Sequence, residues 1–209
     1  MVIGNRDAQQ LERLTFFSDA VFAIAMTLLV IEVRLPPLHA FGERELGDAL
    51  LALIPNYVGF LVSFLVLGRF WVSHHTLMSE LRGTSVALVW TNLFLLLAVA
   101  FMPFPTAVVS EYVQLRVGVG FYAGWLLLLG FINQRLFAVA APLRADDIAP
   151  AVFEAHRTRS WIPLLIGGGA LAAGMVTPLA GLAALIGLGP IVTPLVNRRA
   201  ARQAARAHH

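Results

Sequence analysis

Five polar residues lie within or beside apolar runs of this chain, and their side chains can exchange protons or hydrogen bonds. Ser18 and Asp19 open the first run, His74 and His75 follow the second, and Asn92 lies near the start of the third. An imidazole beside a carboxylate can titrate near neutral pH and relay protons. The same groups, hydrogen-bonded between helices, contribute roughly 0.6–2 kcal/mol per bond to helix packing. We favour the packing network, because these residues fall at the edge of the predicted spans and transporter sites lie near the midplane.

The same residue types do not form a recognisable metal or catalytic centre. Adjacent His74 and His75 diverge by about 100° on a helix, and no HExxH spacing accompanies them. The chain has no cysteine, which excludes disulfides, thiolate metal ligands and cysteine nucleophiles. No nucleophile and base stand at a spacing typical of an active site. We therefore predict a protein that is not an enzyme and that holds neither a metal nor a cofactor.

The amino-acid composition indicates which kind of secondary structure carries these polar side chains. Of 209 residues, 58% are hydrophobic and 13% are charged, and the mean hydropathy is +0.77. Soluble domains have about 45–50% apolar and about 25% charged residues, so a soluble fold would leave large apolar patches exposed. The sequence predicts an all-α, polytopic membrane protein.

Six apolar stretches are long enough to cross about 30 Å of hydrocarbon, which takes about 20 residues as a helix. We predict one six-helix domain over residues 1–209, with spans at about 15–35, 49–72, 85–109, 115–139, 161–177 and 179–196 and a basic tail at 197–209. The last two spans are rich in glycine, which suits close contact between helices.

Arginine placement predicts the orientation of these spans. All 15 basic residues are arginine, and they lie mostly between the apolar runs. With the N-terminus inside, ten fall in inner segments and three in outer segments, which is the bias expected of cytoplasmic loops. We predict that both termini are cytoplasmic and that the arginine-rich tail fixes this topology, with contact to anionic lipid as the less favoured alternative. The partner of the chain is the lipid bilayer and not a nucleic acid.

The first span has two separate faces when its residues are placed about 100° apart. Ile24, Leu28 and Ile31 form one narrow apolar stripe, with Phe17 below it and Thr27 beside it. The polar pair that opens the span points well away from this stripe. Apolar side chains on a membrane helix face lipid or a neighbouring helix more often than a pore, so periodicity alone leaves both interpretations open.

Three segments resemble the transmembrane protein 175 family, whose members are potassium channels of lysosomes and bacteria. The first is Arg13-x-x-x-Phe17-Ser18-Asp19, which continues through the apolar run that follows. The others are Phe70-Trp71-x-x-His74-His75 and Asn92 followed by Pro103-Phe104-Pro105. The resemblance covers the whole chain as six spans.

The resemblance implies a bacterial inner-membrane protein with one six-helix repeat per chain, assembled as a homotetramer. First helices line the central pore in this family. By motif position, the constrictions here are Ile24, Leu28 and Ile31, and Thr27 is a hydroxyl-bearing position that influences ion preference. The permeant potassium ions would pass these four side chains.

The resemblance also implies that the polar residues form a packing network. Its predicted members are Arg13, Phe17, Ser18, Asp19, Trp71, His74, His75 and Asn92. Arg13 does not lie on the same helix face as Asp19, so any contact between these two residues would cross a subunit boundary.

A potassium filter made of backbone carbonyls is not indicated. Val117-Gly118-Val119-Gly120-Phe121-Tyr122 has a superficial likeness to a Thr-Val-Gly-Tyr-Gly filter, but it lies inside a continuous apolar span. Apolar rings would instead select partly dehydrated ions and gate by dewetting. We predict a potassium-preferring cation channel. The alternative is a proton-permeable channel or proton-coupled transporter that uses Asp19 and the two histidines.

Overall fold

The computed structural model describes residues 2–38 and 42–206, and most of these residues are helical. The helices in these ranges are α1 Val2–Leu28, α2 Glu43–Ala52, α3 Ile54–Ser79, α4 Val86–Ala100, α5 Pro103–Glu111, α6 Arg116–Ala140, α7 Pro150–Arg159, α8 Ile162–Val176 and α9 Pro178–Arg206. Short 3-10 turns at Leu29–Glu32 and Ala141–Leu143 extend α1 and α6. The last three residues of the predicted basic tail, 207–209, lie outside the described ranges.

Six stretches within the described part of the chain are long and apolar enough to cross a membrane. They are Asp7–Glu32, Ile54–Ser79, Val86–Glu111, Arg116–Leu143, Pro150–Val176 and Pro178–Arg202. The prediction of an all-α membrane protein with six spanning helices is therefore confirmed.

Prolines mark several places where one helix ends and another begins. Pro55, Pro103 and Pro163 each stand in the first turn of a helix, α3, α5 and α8 respectively. Proline has no N–H to donate and fits this first turn, but it disrupts a helix interior. The third spanning stretch is consequently made of α4 and α5, and the fifth of α7 and α8. The structure also continues α3 to Ser79, so both histidines lie inside this helix.

The helices pack around α6 and around the inner face of α1. Helix α1 contacts α3 and α4, α6 contacts α4, α5 and α8, and α8 runs along α9. Their common core includes Phe22, Leu67, Leu95 and Leu129, which are fully buried. Only one face of α1 packs against this core.

Small residues allow α6, α8 and α9 to approach closely. A side-chain carbon added at Gly181 would lie 2.8 Å from the Cα of Gly174 and 2.7 Å from a methyl carbon of Val119. Substitution here would displace backbone atoms, since neither glycine faces open space. The glycine-rich spans thus make the close helix contact that small residues permit in membranes.

Two loops are joined at the end of the bundle where α3 and α6 terminate. The Ala145 N–H donates to the carbonyl of Glu80 at 2.8 Å, and the Arg82 N–H donates to the carbonyl of Leu143 at 3.0 Å. The buried carboxylate of Glu80 also contacts the imidazole of His156 on α7. These contacts fix the ends of α3, α6 and α7 relative to one another.

Candidate functional site

The two faces of α1 have opposite environments in the folded chain. Its inner face is buried against α3 and α4 through Ser18, Phe22, Ala25 and Leu29. The outer face carries the predicted stripe, where Ile24 is 58% exposed, Leu28 39% and Ile31 48%. In a single chain, therefore, no other helix packs over these three large apolar side chains.

Thr27 lies on the same exposed face and places a hydroxyl among apolar groups. Its hydroxyl donates to the carbonyl of Ile24 at 2.8 Å. Such a bond to the preceding turn satisfies the donor and leaves the oxygen lone pairs free to accept. The stripe consequently presents one oxygen acceptor beside its apolar side chains.

A buried hydrogen-bonded chain joins α1, α3 and α4 behind this stripe. The amide nitrogen of Asn92 donates to the Ser18 hydroxyl at 2.9 Å, and its carbonyl oxygen lies 2.7 Å from Nε2 of His74. Ser18 in turn donates to the carbonyl of Leu14 at 2.8 Å. Because the Asn92 carbonyl can only accept, this arrangement places the imidazole proton of His74 on Nε2. All three side chains are fully buried.

A second group of contacts lies closer to the surface and links α1 to α3. The indole N–H of Trp71 donates to Asp19 at 2.8 Å, and Nδ1 of His75 lies 3.9 Å from the other carboxylate oxygen. The rings of Trp71 and His75 are 5.6 Å apart. The side chains of Asp19 and His75 are 30% and 54% exposed, so solvent weakens the attraction between them.

The two groups of contacts do not form one continuous proton path. Among the described residues, no hydrogen bond joins Asp19 to His74 or to Asn92. The remaining ring nitrogen of His74, Nδ1, is buried and has no hydrogen-bond partner within the described part of the chain. The geometry suits holding three helices in register better than it suits proton relay.

Two residues predicted for the network lie apart from it in a single chain. The Arg13 side chain is exposed and forms no ion pair with another described residue. The Phe17 ring is 52% exposed and lies on the outer side of α1, away from the buried Ser18. Neither residue therefore contributes to the network within a single chain.

Sequence reasoning did not identify a third polar cluster, which joins α3, α5 and α6. The hydroxyl oxygens of Ser63 and Tyr122 are 2.9 Å apart, and that of Thr106 is 2.8 Å from Ser63. All three residues are almost completely buried. Each is a single polar residue inside an apolar stretch, and this isolation was the only indication in the sequence that it has a partner. The indication is weak, because hydroxyl groups in membrane helices often bond to their own backbone.

The filter-like segment of α6 is ordinary helix. Gly118 and Gly120 lie inside α6, and none of the described glycines has a positive φ. Tyr122 is bonded to Ser63 within the core. Backbone carbonyls in this segment are therefore engaged in helix formation and do not line an ion path.

Six membrane-spanning helices define a polytopic membrane protein, in which a buried polar network joins α1, α3 and α4 and one apolar face of α1 stays uncovered. A family model described as endosomal/lysosomal potassium channel TMEM175 matches residues 13–103, which include both groups of polar contacts.

The fold is also that of a solved relative. A crystal structure described as a lysosomal potassium-selective channel TMEM175 homolog from Chamaesiphon minutus superimposes with a TM-score of 0.73 at 31% sequence identity. The match covers 96% of this chain and 100% of that chain. Together with the family model, this full-length match shows that the chain belongs to the TMEM175 family. The family consists of ion channels, which confirms that the chain is not an enzyme.

Curated relatives carry two different names. A protein named as a potassium channel from Chamaesiphon minutus is 42% identical over 132 residues, which cover 62% of this chain and 65% of that protein. A Gallus gallus protein named as the endosomal/lysosomal proton channel TMEM175 is 30% identical over 109 residues, covering 49% of this chain and 22% of that protein. The chain thus spans less than two thirds of the length of these curated relatives.

Proposed function

We propose that this chain is one subunit of a homotetrameric, potassium-preferring cation channel whose pore is lined by the outer face of α1. The observation that carries the proposal is the exposure of Ile24, Leu28 and Ile31 on a helix whose opposite face is buried. Four copies arranged with these faces inward would cover the stripe and enclose a path. The name of the bacterial relative, a potassium channel, supports the same ion.

The chemistry of this path would be that of an apolar neck. A cation that passes a ring of Ile24 side chains sheds part of its hydration shell, and potassium holds its water less tightly than sodium. A narrow apolar ring therefore favours potassium over sodium. When water leaves the space inside the ring, ions can no longer pass and conduction stops. Rotation of the Ile24 side chain would be enough to change the width of the ring. No cofactor is needed for this mechanism.

The helices and the placement of the arginines support a specific membrane setting. The six spans form one domain, residues 1–209, in the inner membrane of a bacterium, with both termini cytoplasmic. The arginine-bearing loop that joins α3 to α4 and the loop that joins α6 to α7 lie on the cytoplasmic side, as the bias of positive charge expects.

A proton-permeable channel is the second candidate, and the vertebrate relatives named as proton channels favour it. Asp19, His74 and His75 would carry the protons. The physical argument against a proton relay is that no unbroken chain of hydrogen bonds joins these residues, and a relay needs such a chain.

Flux from liposomes that contain the purified protein distinguishes these candidates. We expect potassium efflux to exceed sodium efflux under equal gradients and to need no proton gradient. An Asp19→Ala protein should keep this potassium flux if it assembles, because the carboxylate contributes to packing. Flux that appears only with a proton gradient, and is lost in assembled Asp19→Ala protein, would overturn the potassium channel and favour the proton path.

A further inference from the structure

Two arginines share a cavity of about 150 Å³ at one end of the bundle. Arg69 enters it from α3 and Arg159 from the end of α7, and Ser73 and His156 contribute further polar groups. The positive charges of the two guanidinium groups repel each other. A pair of like charges beside a membrane core is costly unless a negative partner is present.

That negative partner is missing from the described part of the chain. Neither Arg69 nor Arg159 forms an ion pair there, and Nε of Arg159 is buried without a hydrogen-bond partner. The Glu80 carboxylate contacts one residue of the cavity wall, His156, and is engaged by its imidazole. Both guanidinium groups are consequently free to bind an anion.

An apolar groove begins at the same arginine. Arg69 also lines a second cavity, of about 380 Å³, whose remaining walls are almost entirely apolar side chains of α3, α8 and α9. Val62 and Ile186 also line a third apolar cavity, of about 200 Å³, which α3 and α9 enclose with α5 and α6 in place of α8 and which reaches Ile54 at the start of α3. From Ile54 to Arg69 is 15 residues of helix, roughly 22 Å, compared with about 30 Å for the whole hydrocarbon core.

We propose that an anionic phospholipid binds here, with its phosphate between Arg69 and Arg159 and an acyl chain along the groove that runs between α3 and α9 through both apolar cavities. Guanidinium groups match phosphate oxygens with paired, charge-assisted hydrogen bonds. Basic pockets between membrane helices are typical binding sites for anionic headgroups. A free phosphate ion would satisfy the arginines but would leave the groove unused. The proposal depends on the membrane fold and not on the ion that the protein conducts.

Delipidated protein in detergent provides the test, with native mass spectrometry and thermal unfolding as measurements. Phosphatidylglycerol should bind and raise the unfolding temperature, whereas phosphatidylcholine and inorganic phosphate should do neither to the same extent. The Arg69→Gln/Arg159→Gln protein should bind phosphatidylglycerol at least tenfold more weakly. Arg82→Gln is the matched control, because this arginine lies at the same end of the bundle but makes an exposed ion pair with Asp146.

A groove variant keeps the proposal testable if the double arginine variant fails to fold. Ile186 is 57% exposed, so Ile186→Trp fills the groove without removing a buried side chain. It should weaken phosphatidylglycerol binding while both arginines remain. Equal binding of phosphatidylcholine, full stabilisation by inorganic phosphate alone, or equal loss in Arg82→Gln would overturn the proposal. Loss of the oligomer in Ile186→Trp, with lipid binding unchanged, would instead assign the groove to a second copy of this chain.

Discussion

An Ile24→Asn channel should conduct potassium severalfold faster than the unmodified protein and discriminate less against sodium. Ile24 is 58% exposed in the single chain, so the substitution removes no core side chain and should leave the subunit folded. An amide in the narrow ring would hold water there, and a wet neck neither closes by dewetting nor requires ions to lose as much hydration. The measurement is the rate of potassium and sodium flux from liposomes at equal protein density.

Leu97→Asn is the control for this result. Leu97 is 67% exposed, but it lies on α4 beside the groove between α4 and α6, away from the stripe. It introduces the same amide in place of a similar apolar side chain and should leave ion selectivity unchanged. Unchanged flux and selectivity in assembled Ile24→Asn protein would show that Ile24 does not line the pore.

Replacing Asn92 with leucine should cause the largest loss of stability among the polar residues considered. The change leaves Nε2 of His74 buried without its acceptor and removes the Asn92 donor from the Ser18 hydroxyl, which keeps its bond to the Leu14 carbonyl. An unsatisfied buried group costs about 1–3 kcal/mol, and some of this cost is recovered where another partner is found. A lower unfolding temperature and a lower yield of the assembled oligomer are the expected results.

The neighbouring Thr91 offers a matched control for the Asn92→Leu experiment. Its hydroxyl bonds to the carbonyl of Ala87 within its own helix at 2.8 Å, so Thr91→Val breaks no contact between helices. Thr91→Val should unfold close to the temperature of the unmodified protein. If Asn92→Leu were equally stable but lost proton flux, the buried residues would serve a relay and not packing.

The six spans could be predicted because the membrane imposes a length and an apolar composition on each of them. The two faces of α1 could also be predicted, since the helical repeat alone separates Ile24 from Ser18. Both depend only on local sequence. The helix breaks before α3 and α5 could not be located from local sequence, because a proline is compatible with two arrangements. Pro55 and Pro103 could each stand in the first turn of a new helix or disrupt the interior of a longer one.

The buried clusters were less accessible to sequence reasoning because they depend on contacts between distant residues. Tyr122 and Ser63 are 59 positions apart, and only the packed bundle brings their hydroxyl groups together. Arg69 lies near the end of the predicted span at 49–72, and this position alone indicates no partner for it. Its shared cavity with Arg159 exists because the folded bundle places the end of α7 across this cavity from α3, which no periodicity in the sequence encodes.

The central claim, that the outer face of α1 lines the ion path, is tested most directly by a cysteine at position 24. The chain has no cysteine, so Ile24→Cys would carry its single thiol. A positively charged, water-soluble methanethiosulfonate reagent should label this thiol and block most potassium flux from liposomes, whereas Leu97→Cys and the unmodified protein should keep their flux. Undiminished flux through assembled Ile24→Cys channels after the same treatment would contradict a pore lined by α1.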